Sequence, residues 1–529
     1  GHIKNIADGS MLNGGINRGA RAKLVWDASD QLAVSFIADY NESDEVCCAG
    51  PFSYVADDAA LAGFLPQSEW LTGITPSKDN TEVSYGRTPR SKSRDWSATL
   101  KLEYDLGDFS LTSITGYRDW SYYFEQDADQ TDAFDLYQLS NNVSEAFTQE
   151  LRLISPSSED LEYILGLYYS KVENSRDFTR LPFFAATWEG NADTESYAVF
   201  GQAKYSFSED WQLIGGLRYN AEEISARFEK SFPEQVSLEG SDLDEVVTGK
   251  LALQYFANEH VMLFGGYSRG YKGQGYDLSS SFSQDGADNP VAPENSDAFE
   301  LGIKSNLFDN RLQLNAVLFT TEYEDFQAQS TVQDEVTQTF DFKLNNVGSL
   351  KTSGLELDVI ALPTENFKVN LGLAYIDAVI EEFKGADCYA LQTEDLGCID
   401  GKQDLSGKDL SNAPDLKVTL AGEYTLPMES MPFDGFFNFS YQWQDDVSLN
   451  LMNNPDLMQE AYGVLNLSMG IDSQEGGYRA TLFVNNLLDD GYISAASSYE
   501  AIFGGKDVRS NTIPRNAQRY AGVRLKMNF

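Results

Sequence analysis

The chain has 529 residues, 42% hydrophobic and 13% aromatic, with 82 acidic against 38 basic side chains and a formal charge of −44. That surplus of carboxylates excludes a nucleic-acid partner, whose phosphates would be repelled. The longest apolar runs, Tyr163–Tyr169 and Val261–Phe264, fall far short of the roughly 18 residues a membrane helix needs, whereas a membrane β-barrel alternates faces and gives no hydropathy peak.

The chain opens in a polar, Gly- and Asn-rich stretch, Gly1–Gly15, that reads as the inside of a loop. No signal peptide and no initiating Met are visible, so a truncated chain is expected. A first strand is expected near 16–26. Leu32, Val34, Phe36, Ala38 and Tyr40 then recur at every second position. Trp96, Ala98, Leu100, Leu102 and Tyr104 do the same, opposite Ser97, Thr99, Lys101 and Glu103. Successive strand side chains point to opposite faces, so such segments are apolar outside and polar inside. Leu312, Leu314, Ala316, Leu318 and Thr320 repeat the pattern less cleanly, opposite Gln313, Asn315, Val317 and Phe319.

The connections alternate in length. Short turns are predicted near 27–30, 106–108, 155–160, 207–210, 257–259, 308–310, 362–365, 427–432 and 472–477. Long polar loops are predicted near 41–93, 120–143, 172–193, 223–243, 273–294, 327–339, 379–412, 446–459 and 489–516. These join about 19 strands in an all-β, transmembrane, antiparallel barrel with turns in the periplasm and loops outside. The first strand enters from outside, so an even-numbered barrel needs one or three more strands, giving 20 or 22. The 22-stranded barrels are the plugged transporters.

Several segments carry candidate chemistry. Cys388 and Cys398 bracket nine polar residues and are expected to form a disulfide. The adjacent Cys47 and Cys48 read equally as a strained bond or as two thiols that are free or paired elsewhere. Trp120-Ser-Tyr-Tyr-Phe124 suits an interfacial aromatic girdle or a ligand platform. Asp127, Asp129, Asp132 and Asp135 suit a calcium site or a solvated acidic loop, and the central Gly of a helix–loop–helix calcium loop is missing. Arg269, Tyr271, Lys272 and Tyr276 leave a strand where a ligand would descend, and suit ligand capture. They equally suit the girdle, with Arg269 balancing an interior acid. Gly270-Tyr-Lys-Gly273 is no phosphate cradle, since no helical period follows. In the last strand Val523, Leu525, Met527 and Phe529 share a face expected to meet lipid, Phe529 at the interface.

Taken in order, several motifs resemble TonB-dependent receptors over essentially the whole chain. They are Thr148-Gln-Glu-Leu-Arg-Leu153, Phe200-Gly-Gln-Ala-Lys-Tyr205 with Gly215-Gly-Leu-Arg-Tyr219, and Tyr267-Ser-Arg-Gly-Tyr-Lys-Gly273. Pro293-Glu-Asn-Ser with Glu300-Leu-Gly-Ile-Lys304, Asn345-Asn-Val-Gly with Ser353-Gly-Leu-Glu-Leu357, and Val484-Asn-Asn-Leu-Leu-Asp-Asp-Gly-Tyr492 continue the series. The resemblance implies an outer-membrane importer of a Gram-negative bacterium: one barrel domain over 1–529, an N-terminal plug, and a short segment engaging the TonB–ExbB–ExbD complex. The plug, the first strands and the TonB-contacting segment are expected to be absent from this chain. The implied cargo is a scarce solute such as a siderophore–iron complex, a vitamin or an oligosaccharide. Outer-membrane lipid and lipopolysaccharide are the expected surroundings.

An enzyme is not expected. Acyl transfer needs a base beside the nucleophile, and neither His2 nor His260 has a readable nucleophile partner. Nothing points to a resident cofactor. A passive porin or adhesin barrel is the alternative, and a plug encoded upstream would decide for the importer.

Overall fold

The computed structural model describes residues 1–156, 160–182, 185–333 and 340–528. Among these residues nineteen long strands form an antiparallel barrel, each laddered to the next along the chain. They are β1 (Gly14–Ser29), β2 (Leu32–Val46), β3 (Arg90–Asp105), β4 (Ser110–Asp127), β5 (Tyr137–Ile154), β6 (Leu161–Leu181), β7 (Ala186–Ser206), β8 (Trp211–Phe232), β9 (Val236–Asn258) and β10 (Val261–Lys272). The series continues with β11 (Glu294–Leu307), β12 (Leu312–Gln333), β13 (Phe340–Thr364), β14 (Phe367–Glu382), β15 (Leu416–Leu426), β16 (Phe433–Gln444), β17 (Tyr462–Ser473), β18 (Tyr478–Asn485) and β19 (Tyr520–Met527).

The outward face is set by residues that strand alternation alone would place there. Ser113, Leu151, Leu167, Val199, Tyr219 and Val247 lie directly opposite one another across six strands. Leu167, Val199 and Val247 in this row are more than half exposed, as are Leu217 and Leu525 elsewhere on the wall. Such exposure in an apolar row is the mark of a lipid-facing surface. Val523 and Met527 lie on the same exposed face as Leu525; Phe529 falls outside the described residues.

Aromatic rings bound this band. On β3, Trp96 and Tyr104 are both exposed and stand eight residues apart, about 27 Å along a strand and less once strand tilt is allowed for. At the outer level Trp96 meets Tyr117 at 5.0 Å, Phe147 meets Tyr169 at 6.2 Å, and Tyr169 meets Tyr197 at 5.1 Å. Tyrosine hydroxyls there donate upward to carboxylates, Tyr117 to Glu145 and Tyr267 to Asp297. An amphipathic ring satisfies both sides of a membrane interface in this way.

The inner wall is polar and packed by aromatic–glycine pairs. Gly166 lies opposite Phe200 and Gly522 opposite Phe483, and a Cβ on either glycine would fall within 2.6 Å of the facing ring. Arg218 and Arg524 cover those two rings at 5.7 and 5.6 Å.

Two predicted loops are not loops. β6 and β7 stay paired out to Arg180↔Ala186, and β8 and β9 out to Lys230↔Val236. The ranges 172–193 and 223–243 are therefore mainly raised hairpins. Strands of 21 to 23 residues are twice what a bilayer crossing requires. Above the hydrocarbon both faces turn polar, the alternation fades, and the sequence signal of a strand is lost although its backbone ladder persists. The predicted loop 41–93 likewise shortens to 47–89 and 120–143 to 128–136, and residues 334–339 of the predicted loop 327–339 lie outside the described residues.

The remaining outer segments carry cores of their own. Phe52–Val55 pairs with Val508–Thr512, tying the β2–β3 connection to the β18–β19 connection. Beneath them Phe52, Trp70 and Phe503 pack ring against ring, fully or nearly fully buried. A second cluster, Phe178, Trp188, Phe228 and Phe282, joins the raised hairpins to the segment holding the short helix Gln284–Asp288.

Candidate ligand vestibule

The outer mouth of the barrel is built from one wall of strands and several folded loops. On β4 Trp96's neighbours fix the parity: Tyr117 faces outward, so Trp120, Tyr122 and Phe124 face the lumen. Trp120 and Tyr122 stack with centroids 5.8 Å apart and planes at 6°. Trp120 Nε1 donates to Ser93 Oγ at 3.1 Å, and Tyr122 and Ser91 share a 3.3 Å hydroxyl contact. The segment Trp120–Phe124 is thus a lumenal platform, with Ser121 and Tyr123 turned outward. Sequence alternation could not assign it, because aromatics occupy both phases.

Above the platform, Gln126, Gln138 and Arg180 lie opposite one another across β4, β5 and β6. Gln138 Nε2 donates to Gln126 Oε1 at 2.9 Å. Arg180 approaches the Phe178 ring at 5.8 Å. This row lines a cavity of about 510 Å³, closed on its other sides by Gln329, Tyr389, Asn412, Leu451, Tyr499 and their neighbours. Its volume and its mixed apolar and amide lining fall within the range for small-molecule sites. Glu500 is buried, accepts from Ser498 Oγ at 2.5 Å, and has its carboxyl raised above the usual range by that burial.

Cys388 lies in the lining. It is bonded to Cys398, with Cα atoms 5.7 Å apart, so the β14–β15 loop reaches the cavity as a closed ring. Cys47 and Cys48 are also bonded to each other, across a cis peptide, at the outer end of β2.

The other candidates separate. Arg269 is exposed on the same face as Tyr267. Tyr271 donates to Asp244 at 2.6 Å, and Lys272 lies 4.0 Å from Glu294. Tyr276 packs edge-on to Phe282 in the second aromatic cluster. These four do not converge, because β10 leaves the β9 ladder after Arg269 and the following residues are absorbed into the packing of the mouth.

The four aspartates do not form one site either. Asp135 takes two hydrogen bonds from the Arg87 guanidinium, at 2.9 and 3.0 Å, and Asp132 is exposed. Asp127 and Asp129 are each 1% exposed. Asp127 accepts from the Arg87 and Gln130 amides at 3.0 Å, and Asp129 accepts from the Thr131 amide at 2.9 Å. Among the described residues no group of three or more His, Cys, Asp or Glu side chains is arranged to hold a metal. The pair closes a turn that packs on the β2–β3 connection, where Gly86 N donates to Thr131 O at 3.1 Å.

Among the described residues neither histidine is hydrogen-bonded to a hydroxyl or thiol. His2 Nε2 contacts the Ile513 carbonyl at 2.8 Å, and His260 lies 3.6 Å from Glu259 in a turn.

Comparison with known proteins matches residues 49–487 to the family described as TonB dependent receptor-like, β-barrel. A probable TonB-dependent siderophore receptor, PiuA of Acinetobacter baumannii, is 22% identical over 309 residues, covering 58% of this chain and 38% of that protein. The metal-pseudopaline receptor CntO of Pseudomonas aeruginosa is 23% identical over 207 residues, covering 38% of this chain and 26% of CntO. The matched stretches thus span well under half the length of these relatives. Among solved structures, the ferric yersiniabactin uptake receptor FyuA of Yersinia pestis superposes with a TM-score of 0.77 at 18% identity, covering 100% of this chain and 73% of FyuA. The relatives are receptors and transporters rather than enzymes.

Proposed function

The chain belongs to the TonB-dependent receptor family, whose barrels sit in the outer membrane, and from that premise we propose that it is the barrel of an importer for a metal chelate. Cargo is captured in the vestibule and passed inward with energy delivered by the TonB–ExbB–ExbD complex through an N-terminal plug. The observation that carries this reading is the cavity of about 510 Å³ over the lumen, lined from the β4–β6 wall and from several outer loops. A mouth narrowed by folded loops suits capture; free diffusion through a porin calls for an open one. The size of the cavity fits a chelate or vitamin better than a long polymer. That relatives are named for siderophore and metal–chelator uptake favours a chelate among these.

In this account the platform of Trp120 and Tyr122 receives planar or apolar parts of the cargo, and Gln126 and Gln138 supply neutral hydrogen-bonding groups. The exposed apolar wall contacts acyl chains, and the tyrosine–carboxylate level above it meets lipopolysaccharide headgroups. A deletion strain grown on single iron or other metal chelates under metal limitation tests the reading. Loss of growth on one chelate, restored by the intact gene, is expected. Growth unchanged on every chelate but lost on a vitamin or oligosaccharide would replace the cargo class.

A further inference from the structure

We propose that the vestibule selects chelates that are neutral or cationic overall and discriminates against polyanionic ones; this rests on the import reading above. Among the described residues lining the cavity only Arg180 and Glu500 are of charged types, one of each sign. The remaining polar lining is dominated by side-chain amides, including Gln126, Gln138, Gln329, Asn412 and Asn450. An amide donates and accepts, and so matches hydroxyl, carbonyl and hydroxamate groups. It cannot replace the solvation that a multiply charged anion loses on entering. Recognition of a carboxylate- or catecholate-rich anion instead calls for several converging guanidinium or ammonium groups.

Several cations near the mouth are already engaged. Arg87 bonds Glu125 at 2.7 Å as well as Asp135, and Arg509 bonds Asp507 and Asp456 at 2.9 and 3.0 Å. Lys402 bonds Asp387 at 2.5 Å. Two of the loops that close the cavity, 383–415 and 445–461, carry eleven carboxylates against three lysines. A ligand descending between them crosses a negative potential. Such a field slows anions and favours cations over about a Debye length, roughly 8–10 Å at physiological salt.

The test uses the full-length receptor, with its plug, purified in detergent and titrated by tryptophan fluorescence. Four probes are compared: a net-neutral ferric trihydroxamate, a monocationic ferric trihydroxamate, a trianionic ferric tris-catecholate, and ferric citrate. The neutral or cationic probe is expected to bind about tenfold or more tighter than either anion at low salt, with the gap narrowing as salt rises. The exposed lining residue provides a gain-of-function check: Q329K is expected to improve tris-catecholate binding severalfold relative to the neutral probe, and a variant that leaves this ratio unmoved counts against the charge selection. Equal or tighter binding of an anionic probe by the unaltered receptor overturns the charge selection and leaves the importer standing. Binding of none of the four, with a vitamin or oligosaccharide bound instead, overturns the chelate reading and this inference with it.

Discussion

Trp120 and Tyr122 stack almost parallel, at 6°, on the lumenal face of β4, two residues apart and just below the Gln126–Gln138 hydrogen bond. Half-buried parallel rings at a mouth offer a binding surface that costs little conformational entropy, since each has only two side-chain torsions. Replacing Trp120 by Ala is expected to weaken cargo binding about fivefold to thirtyfold, in line with loss of one aromatic contact of roughly 1–2 kcal/mol. Barrel assembly, read as heat-modifiable migration on gels, should be unchanged. Loss of assembly with no change in binding by the remaining folded fraction would make the platform structural.

The wall orientation makes a sharper demand. Leu525 is 68% exposed on β19 and its neighbour Lys526 points the other way. Leu100, Leu102 and Met527 belong to the same outward set. Arg at a midplane position in this set should cost about 2–4 kcal/mol of folding free energy. Arg in place of Lys526, on the lumenal face, should cost far less. Reversible unfolding in lipid vesicles measures both, and equal costs would contradict the assigned faces.

The buried aspartates give a pH dependence. Burial is the largest influence on Asp129 and raises its carboxyl above the usual range; hydrogen bonds from Thr131 oppose it only in part. An acid raised on folding keeps its proton in the folded loop while the unfolded loop has already ionised. The folded turn therefore loses stability as pH climbs above the ordinary carboxylate range. Asp129→Asn keeps the Oδ1 acceptor used by Thr131 and removes the charge. It should slow protease cleavage of the 128–136 connection at pH 8, with the difference vanishing near pH 3. A variant cleaved faster than the parent at pH 8 would show that the charge is stabilised by a cation or another partner.

The ring closed by Cys388 and Cys398 holds Tyr389 against the cavity. Reopening it by C388S/C398S should free loop-closure entropy worth roughly 2–3 kcal/mol. Faster proteolysis within 383–415 and weaker cargo binding are expected together. Labelling of both thiols in the unreduced parent would contradict the bond.

Much of this architecture was legible from alternation alone. The strand count, the nine short turns and the long-loop end follow from period-2 patterns, because one face had to be apolar along the whole crossing. What failed was the region above the membrane. Arg176, Arg180, Arg227 and Lys230 sit in regular ladders, yet no apolar phase marks them, so raised hairpins read as loops. The site was less legible for the same reason. Trp120 and Tyr122 share β4 with outward Tyr117 and Tyr123, and no composition rule separates the phases. Arg269 and Tyr276 carried the chemistry expected of a ligand site, but packing dispersed them. The meeting of Gln126, Gln138, Arg180, Tyr389 and Tyr499 depends on loops separated by hundreds of residues.

The central claim is energised import through this barrel. Its most direct measurement is accumulation of a radioactive metal chelate by cells carrying the intact receptor, compared between a strain with TonB and one lacking it. Uptake well above the receptor deletion, and lost without TonB, is expected. Uptake that persists unchanged in the absence of TonB would contradict the account and favour passive permeation.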